Sequence, residues 1–422
     1  MTENVILLGA GASRAAGIPL LSEFMRTIGQ LARTGVNEQR ELTDDEIKVL
    51  RKAVEIRDSL RGYHATVAFD QFNIEDILSI LSFDVLAGSK KARQQLDDFT
   101  QAISLTIELT CSGDHSGEFG RMASSGPDEY RAFWRGLFGA LKRDMREIPA
   151  IISFNYDLVL ERALLQSIIG HPVTGHRQFL RGRRLAIRYD HKNCDRLEFD
   201  SKAADFGSGH ERKEGLYLEV PKEKNPASQT TIEIPIIKPH GSLNFSKVPR
   251  ASDWSLVKAV TDPAILPPVF NKASVEIGAP IWKAGIEALR GCKNLIICGY
   301  SLPITDSYMQ YFLKSALGPN ADLDLIFVFD PALFESGPSG LALRERYSKC
   351  FSAQFQKQIQ FNPDTTGISA RHGTFAHFAE LLEKRPESLL FGLSPERKED
   401  RSSSGFRPVP RRRRNSDLRG LL

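Results

Sequence analysis

Five short stretches of this sequence combine residue types that could do chemistry, and each follows an apolar run. Gly9, Gly11, Ser13 and Gly17 come after Val5 to Leu8. A glycine pair at the carboxyl end of a strand lets the backbone approach a diphosphate, and the amides at the start of the next helix favour the anion. The dehydrogenase spacing G-x-G-x-x-G would need glycine where Arg14 stands, so this is a dinucleotide-type loop of different spacing. A tight strand-to-helix turn without ligand is the plainer account of the same glycines. Ser153-Phe154-Asn155-Tyr156-Asp157 follows a second apolar run. Asn155 and Asp157 are suited to orienting a ribose or an amide, and Asp157 equally suits capping the helix that begins at Leu158.

Lys238-Pro239-His240-Gly241-Ser242 supplies the best general-base candidate. An imidazole titrates near working pH, and His240 pairs a strong preceding strand with an immediate glycine. A structural histidine explains His240 about as well when the motif is taken singly. Cys298-Gly299-Tyr300-Ser301-Leu302-Pro303 and Phe329-Asp330-Pro331 complete the set, Asp330 standing where ribose hydroxyls are held. Five ligand-like strand ends in one chain are hard to explain as turns alone.

The elements that must position these residues are short buried strands: Val5 to Leu8, Ala150 to Phe154, Ile232 to Lys238, Leu295 to Cys298 and Leu325 to Phe329. Helical patterns lie between several of them, at Leu158 to Ile168, Ile281 to Leu289 and Tyr308 to Leu317, and one over Leu21 to Leu31 follows the glycine loop. Alternation of this kind predicts an α/β fold, a doubly wound Rossmann-like parallel sheet with helices on both faces. Residues 38–147 read as a helical insertion. In it, Asn73 and Asp76 have N-cap and N3 spacing, and Tyr130, Phe133, Trp134, Leu137, Phe138, Leu141 and Met145 form a core-facing stripe. The polar segment from His171 to Thr230 breaks the alternation and reads as loop or short hairpins. The expected division is a Rossmann-like domain over 1–37 and 148–393, the insertion over 38–147, and a disordered basic tail over 394–422.

Length and composition bound the classes. A chain of 422 residues with 41% hydrophobic and 26% charged residues is built to fold around a sizeable core. The sequence has no apolar run of bilayer length and no signal-peptide pattern at its start, which points to a cytoplasmic protein. Five cysteines without a C-x-x-C pair argue against a disulfide framework or a four-cysteine zinc site, and suit buried thiols in a reducing compartment. From Pro395 onward nine basic residues oppose four acidic ones, so the tail outweighs the net charge of +4 and leaves the body essentially neutral. A neutral body is not a nucleic-acid coat. Contact of nucleic acid with the tail, through Arg411 to Arg414, has little support because only Phe406 interleaves aromatic character.

In their order along the chain, GAGAS-R-A-A-GIP, FNYD, KPHGS and CGYSLP resemble the sirtuin superfamily, above all its divergent zinc-free NADase domains of prokaryotic anti-phage defence. FNIEDILSIL, from Phe72 to Leu81, resembles a helix recurring in that branch. The resemblance implies that Gly9, Ala10, Gly11, Ala12 and Ser13 cradle the NAD⁺ diphosphate. It places Asn155 by the nicotinamide ribose, Asp157 by the carboxamide, Gly299 and Ser301 along the adenosine side and Asp330 near the adenosine ribose. It makes Asn155 and His240 the catalytic pair. No cysteine occurs from Gly241 to Gly291, where deacylating sirtuins carry a zinc module, so no metal is expected. Leu20-Leu21-Ser22 stands where those enzymes usually have an aromatic-Arg pair. The implied activity is NAD⁺ glycohydrolysis, with NAD⁺ consumed rather than recycled, in a regulated NAD-depleting effector of antiviral defence. Such an effector would act as a homo-oligomer or with a defence-system partner protein. An NAD-dependent protein deacylase or ADP-ribosyltransferase, and a non-catalytic nucleotide-sensing module, are the alternatives.

Overall fold

The computed structural model describes residues 3–38, 40–61, 70–111, 128–143, 148–169, 184–191, 194–200, 231–247, 259–260, 262–265, 279–302, 307–334, 337–353, 355–363 and 371–390. The expected disordered tail and the Gly/Ser-rich break near Ser112 to Pro127 lie outside the described residues. The chain opens with β1 (Asn4–Leu8), α1 (Ala10–Ser13), α2 (Leu21–Thr34), α3 (Asp44–Arg61), α4 (Ile74–Leu86), α5 (Lys90–Thr110) and α6 (Asp128–Arg143). It continues through β2 (Ala150–Ser153), α7 (Val159–Ile169), β3 (Arg184–His191), β4 (Cys194–Asp200), β5 (Thr231–Ile237), β6 (Gly241–Ser246) and β7 (Pro263–Ile265). The remaining elements are α8 (Ala279–Gly291), β8 (Asn294–Cys298), α9 (Ser307–Leu317), β9 (Leu325–Phe329), α10 (Pro338–Cys350), β10 (Ile359–Phe361), α11 (Phe375–Lys384) and α12 (Pro386–Leu390).

Eight strands form one sheet in the order β10-β9-β8-β1-β2-β5-β3-β4, parallel except for β4 at the edge. Without the β3–β4 hairpin, the order β5-β2-β1-β8-β9-β10 is that of two mononucleotide-binding halves, numbered outward as 3-2-1-4-5-6. The expected doubly wound sheet is therefore present. The polar segment after His171 contributes a hairpin, as one of its two expected forms, and this hairpin extends the sheet through pairing of β3 with β5. β6 and β7 pair separately as a two-stranded ribbon.

Burial explains the strands. All of β1, β2 and β8 is buried, which is why their sequences run apolar without alternation. Asn4 and Asn294 are the polar residues at the amino ends of β1 and β8, and they pair with each other at 2.9 Å. On one face α8 comes against Ile237, through Gly285. On the other, Phe378 of α11 packs on Phe329, with ring centres 5.1 Å apart. Ile237 and Phe329 belong to different rows of the pleat, so these helices cover opposite faces.

From Tyr130 to Phe138 the α6 stripe is core, as expected, while Met145 and the Leu141 side chain lie outside what the structure describes. Tyr130 and Phe133 pack on Phe375, and the buried Trp134 donates Nε1–H to the Leu160 carbonyl at 3.0 Å. α2, α3, α4 and α5 form a helical layer of their own. Asn73 caps α4 by accepting from the Glu75 amide. Arg162 on α7 grips both oxygens of Glu108 on α5, at 2.8 and 2.9 Å, tying that layer to the sheet.

Candidate functional site

The register of the sheet brings the five motifs into one row. Leu8 lies beside Ser153 and Cys298, Cys298 lies beside Phe329, and Ile152 lies beside Ile237. The residues that follow these positions therefore leave adjacent strands at one level, along the carboxyl edge of β9, β8, β1, β2 and β5. At a strand spacing of about 4.8 Å this edge is about 20 Å long. The strand order reverses between β1 and β8, the topological switch point at which open α/β sheets bind their ligands.

The two loops at that point are packed backbone to backbone. Gly11 N–H donates to the Gly299 carbonyl at 2.9 Å, and Gly9 N–H to Cys298 at 3.0 Å. A Cβ on Gly9 would meet the Gly299 carbonyl oxygen at 2.5 Å, and one on Gly299, whose φ is +66°, would meet the Ala12 nitrogen at 2.3 Å. These glycines answer first to each other. What remains open to solvent is the backbone of Ala10 and Gly11, while Gly9, Ala12 and Ser13 are buried.

Asn155 is locked into the β1 loop. Its Nδ2 donates to the Gly9 carbonyl at 2.9 Å and to Ser13 Oγ at 2.8 Å, and Ser13 Oγ lies 3.4 Å from the Tyr130 hydroxyl. Ser13 thus turns inward and serves Asn155, and its hydroxyl does not face the crevice. Asn155 Oδ1 accepts no hydrogen bond from a described residue, so a fixed carbonyl oxygen is left at the strand edge. Asp157 caps α7, its Oδ1 accepting from the Val159 amide at 3.1 Å.

His240 is 7% exposed and sits in a turn closed by the Gly241 amide on the Lys238 carbonyl. Its ring centre is 4.9 Å from Phe154, 6.2 Å from Tyr156 and 6.2 Å from Trp282. Tyr300, from the β8 loop, has its ring centre 5.5 Å from that of Phe154. Phe154 therefore links the β2, β5 and β8 loops through ring contacts. Trp282 is 3% exposed, and its Nε1–H meets no acceptor among the described residues.

Behind this row lies a buried ion pair that the sequence reading passed over. Lys238 Nζ is 3.0 Å from Glu161 Oε1 and donates to the Asp157 carbonyl at 2.5 Å, with side-chain exposures of 1% and 0%. Tyr189 donates to the same Glu161 oxygen at 3.4 Å. Burial raises the Glu161 carboxyl above its usual range, and the Lys238 charge pulls it back down. The signal was an acid among Leu160, Ala163 and Leu164 on a buried helical face.

At the β8–β9 end of the row, Ser301 is exposed and its carbonyl accepts from Arg346. Asp330 caps the turn after β9 through the Ala332 amide, and its backbone is clamped on both sides by Asn362. Gly373, with φ +76°, approaches so closely that a Cβ would meet the Asp330 carbonyl oxygen at 2.4 Å. The sequence reading overlooked this loop, although Arg371-His372-Gly373-Thr374 carries the same turn signature as the other motifs.

Four of the thiols are held in the protonated form. Burial pushes Cys111 and Cys292 up to about 12, and raises Cys298 and Cys350 as well. Among the described residues there is no cluster of three metal-ligating side chains, and no helix is long and apolar enough to cross a membrane.

No protein-family model matches the chain, and no curated protein matches it significantly. Among solved structures, a complex of a Sir2 homologue with NAD is similar over 92% of this chain and 90% of that one, at 12% identity and a TM-score of 0.33. A structure reported for the mechanism and regulation of Sir2 enzymes matches over 91% and 93%, at 12% identity and a TM-score of 0.31. Superpositions this loose decide neither family nor ligand. The strand order and the row of loops are the firmer ground.

Proposed function

We propose that the chain is an NAD⁺ glycohydrolase, cleaving the bond between nicotinamide and ribose to give nicotinamide and ADP-ribose. The observation that carries this reading is the placement of five ligand-type loops on five adjacent strands, centred on the switch point, with Asn155 locked there by two hydrogen bonds. The sirtuin-like motif order supplies the identity of the dinucleotide. The crevice fits such a group: Ala10 and Gly11 are exposed and carry no bulk, and the buried Trp282 N–H meets no acceptor among the described residues.

Bond cleavage leaves an oxocarbenium-like ribose, so the site must hold the sugar, accept a proton and exclude all but one water. Asn155 Oδ1 accepts from a ribose hydroxyl or from the attacking water. His240 is the base on the same group, its ring oriented by Phe154 and Tyr156. Phe154, Tyr300 and Trp282 form apolar walls that suit a neutral leaving nicotinamide. Gly9, Ala10, Gly11, Ala12 and Ser13 form the diphosphate loop, with the exposed Ala10 and Gly11 nearest the anion, the Gly9 and Gly11 amides holding the loop against β8, and Ser13 acting through Asn155. Gly299, Ser301 and Asp330 take the adenosine half, and Asp157 sets the turn that carries Asn155. The motifs further point to a regulated, NAD-depleting role in antiviral defence in the cytoplasm. The division into a Rossmann-like domain and an insertion over 38–147 suits such regulation.

The test is release of nicotinamide from NAD⁺ by the purified full chain, with Asn155→Ala and His240→Ala beside it. Turnover independent of any acylated peptide, and reduced at least a hundredfold by either substitution, is expected. Turnover unchanged in both variants would sink the reading. Turnover that appears only when acetyl-lysine peptide is added would replace it with a deacylase.

A further inference from the structure

The helical layer holds a second feature with no part in the reaction above. A groove of 820 Å³ runs between α2 and α3, lined by Met25, Arg26, Gly29, Arg33, Arg51 and Val54 among others. Arg57 and Glu55 also reach it. Four arginines against one glutamate leave three positive charges in excess, within a body that is close to neutral as a whole. Arg57 is paired with Asp58, and Arg26 lies over the Phe72 ring at 5.4 Å. Arg33 and Arg51 make no ion pair with a described residue, and both are exposed. Like charges brought together around one concavity repel, and the fold gains nothing from them unless an anion is added.

The shape of the groove has a cause in the sequence. Met25, Gly29 and Ala32 fall on one face of α2, and a Cβ on Gly29 would meet nothing within 4 Å. The floor that solvent reaches is therefore apolar, made by the half-buried Gly29 and Val54 with Met25 fully buried beneath them, and Arg33 and Arg51 are exposed beside it. Planar cations above an apolar floor suit a phosphate joined to a flat ring. The volume falls in the range of small-molecule sites. A nucleic-acid backbone calls instead for a stripe of charge along an open face.

We infer that the α2–α3 groove binds a phosphorylated nucleotide of mononucleotide size, with Arg33 and Arg51 on the phosphates and the base on the Gly29–Val54 floor. This site is distinct from the carboxyl-edge crevice and does not depend on the hydrolase reading.

The experiment is calorimetric titration of the full chain with ATP, inorganic pyrophosphate, adenosine and a single-stranded oligonucleotide. Two variants accompany it: Arg33→Glu with Arg51→Glu, and Gly29→Phe, which fills the groove and keeps every charge. Neither variant touches the crevice, so each should bind NAD⁺ or turn it over as the wild type does. ATP binding is expected in the wild type, with pyrophosphate weaker and adenosine weaker still. Both variants should lose at least tenfold in ATP affinity. Equal ATP affinity in all three proteins, or absence of ATP binding in the wild type, would overturn the inference. Tight binding of the oligonucleotide without ATP binding would overturn it in favour of a nucleic-acid contact. Nicotinamide release is read separately, so its absence bears only on the hydrolase.

Discussion

Replacing Lys238 by Met should destabilise the protein through Glu161, and removing Glu161 as well should restore it. Both side chains are essentially inaccessible, and the ammonium is 3.0 Å from one carboxylate oxygen. Removing one member of a buried pair leaves an uncompensated charge and costs about 3–5 kcal/mol, whereas removing both is often close to neutral. With a urea m-value of about 3 kcal/mol/M, Lys238→Met should lower the unfolding midpoint by about 1–1.7 M. Lys238→Met with Glu161→Leu should recover most of that loss. The difference between the two variants is pH-dependent. Glu161 already titrates above its unfolded value, and loss of the lysine raises it further. A carboxyl whose folded pKa is raised stabilises the fold below its unfolded pKa and loses that contribution as pH rises through the folded value. Lys238→Met should therefore lie closer to wild type at pH 5 than at pH 8. The double variant folds but lacks the donor to the Asp157 carbonyl, so its nicotinamide release should fall with kcat more than with KM. Equal urea midpoints for the single and double variants, at both pH values, would refute the assignment of a coupled buried pair.

The same glycine-to-alanine change should act in opposite directions at two positions. Gly299→Ala places a Cβ 2.3 Å from the Ala12 nitrogen in a left-handed conformation, and should cost about 3 kcal/mol or more by urea unfolding. Gly29→Ala, in the middle of α2 with open space around it, should stabilise by about 0.5–1 kcal/mol in the same assay. His191 gives a third prediction. Burial lowers its imidazole to about 4, so the folded state binds fewer protons than the unfolded one between about 4 and 6.5. Stability should rise with pH across that window by about 3 kcal/mol at most. His191→Phe, beside Phe245, should flatten the urea midpoint over that range, and an unchanged slope would contradict the burial.

Much of the architecture was legible because it depends on local apolar patterns. Val5 to Leu8 and Leu325 to Phe329 are buried on both faces, so each reads as an unbroken apolar run with a turn at its end. The α6 stripe was equally plain, since Tyr130, Phe133, Trp134 and Leu137 keep helical spacing throughout. β3 and β4 were read only as a polar stretch of loop or short hairpins, because Arg184 to Asp200 mixes charges with Leu and Ile and shows neither an unbroken apolar run nor a clean alternation. The interactions that hold the site escaped the sequence altogether. Asn155 reaches Ser13, and Lys238 reaches Glu161, across more than half a domain of intervening chain, and no local spacing announces either pair.

The glycine loop answers to its neighbour in the fold before it answers to any ligand. Gly9 and Gly11 suggest room for a diphosphate, yet the space beside them is taken by Gly299 from β8. The two demands are ordered. Two strands that diverge at a switch point leave a crevice only if the loops above them fold back tightly enough not to fill it. Glycines on both loops achieve that closure, and the cleared edge is what exposes Ala10 and Gly11. Asn155 then bonds the β1 loop from the β2 side, so the crevice floor is fixed from both neighbours before any ligand arrives. A glycine pair at a strand end thus marks a binding edge most securely when the strand across the switch point brings a glycine of its own, as Gly299 does here.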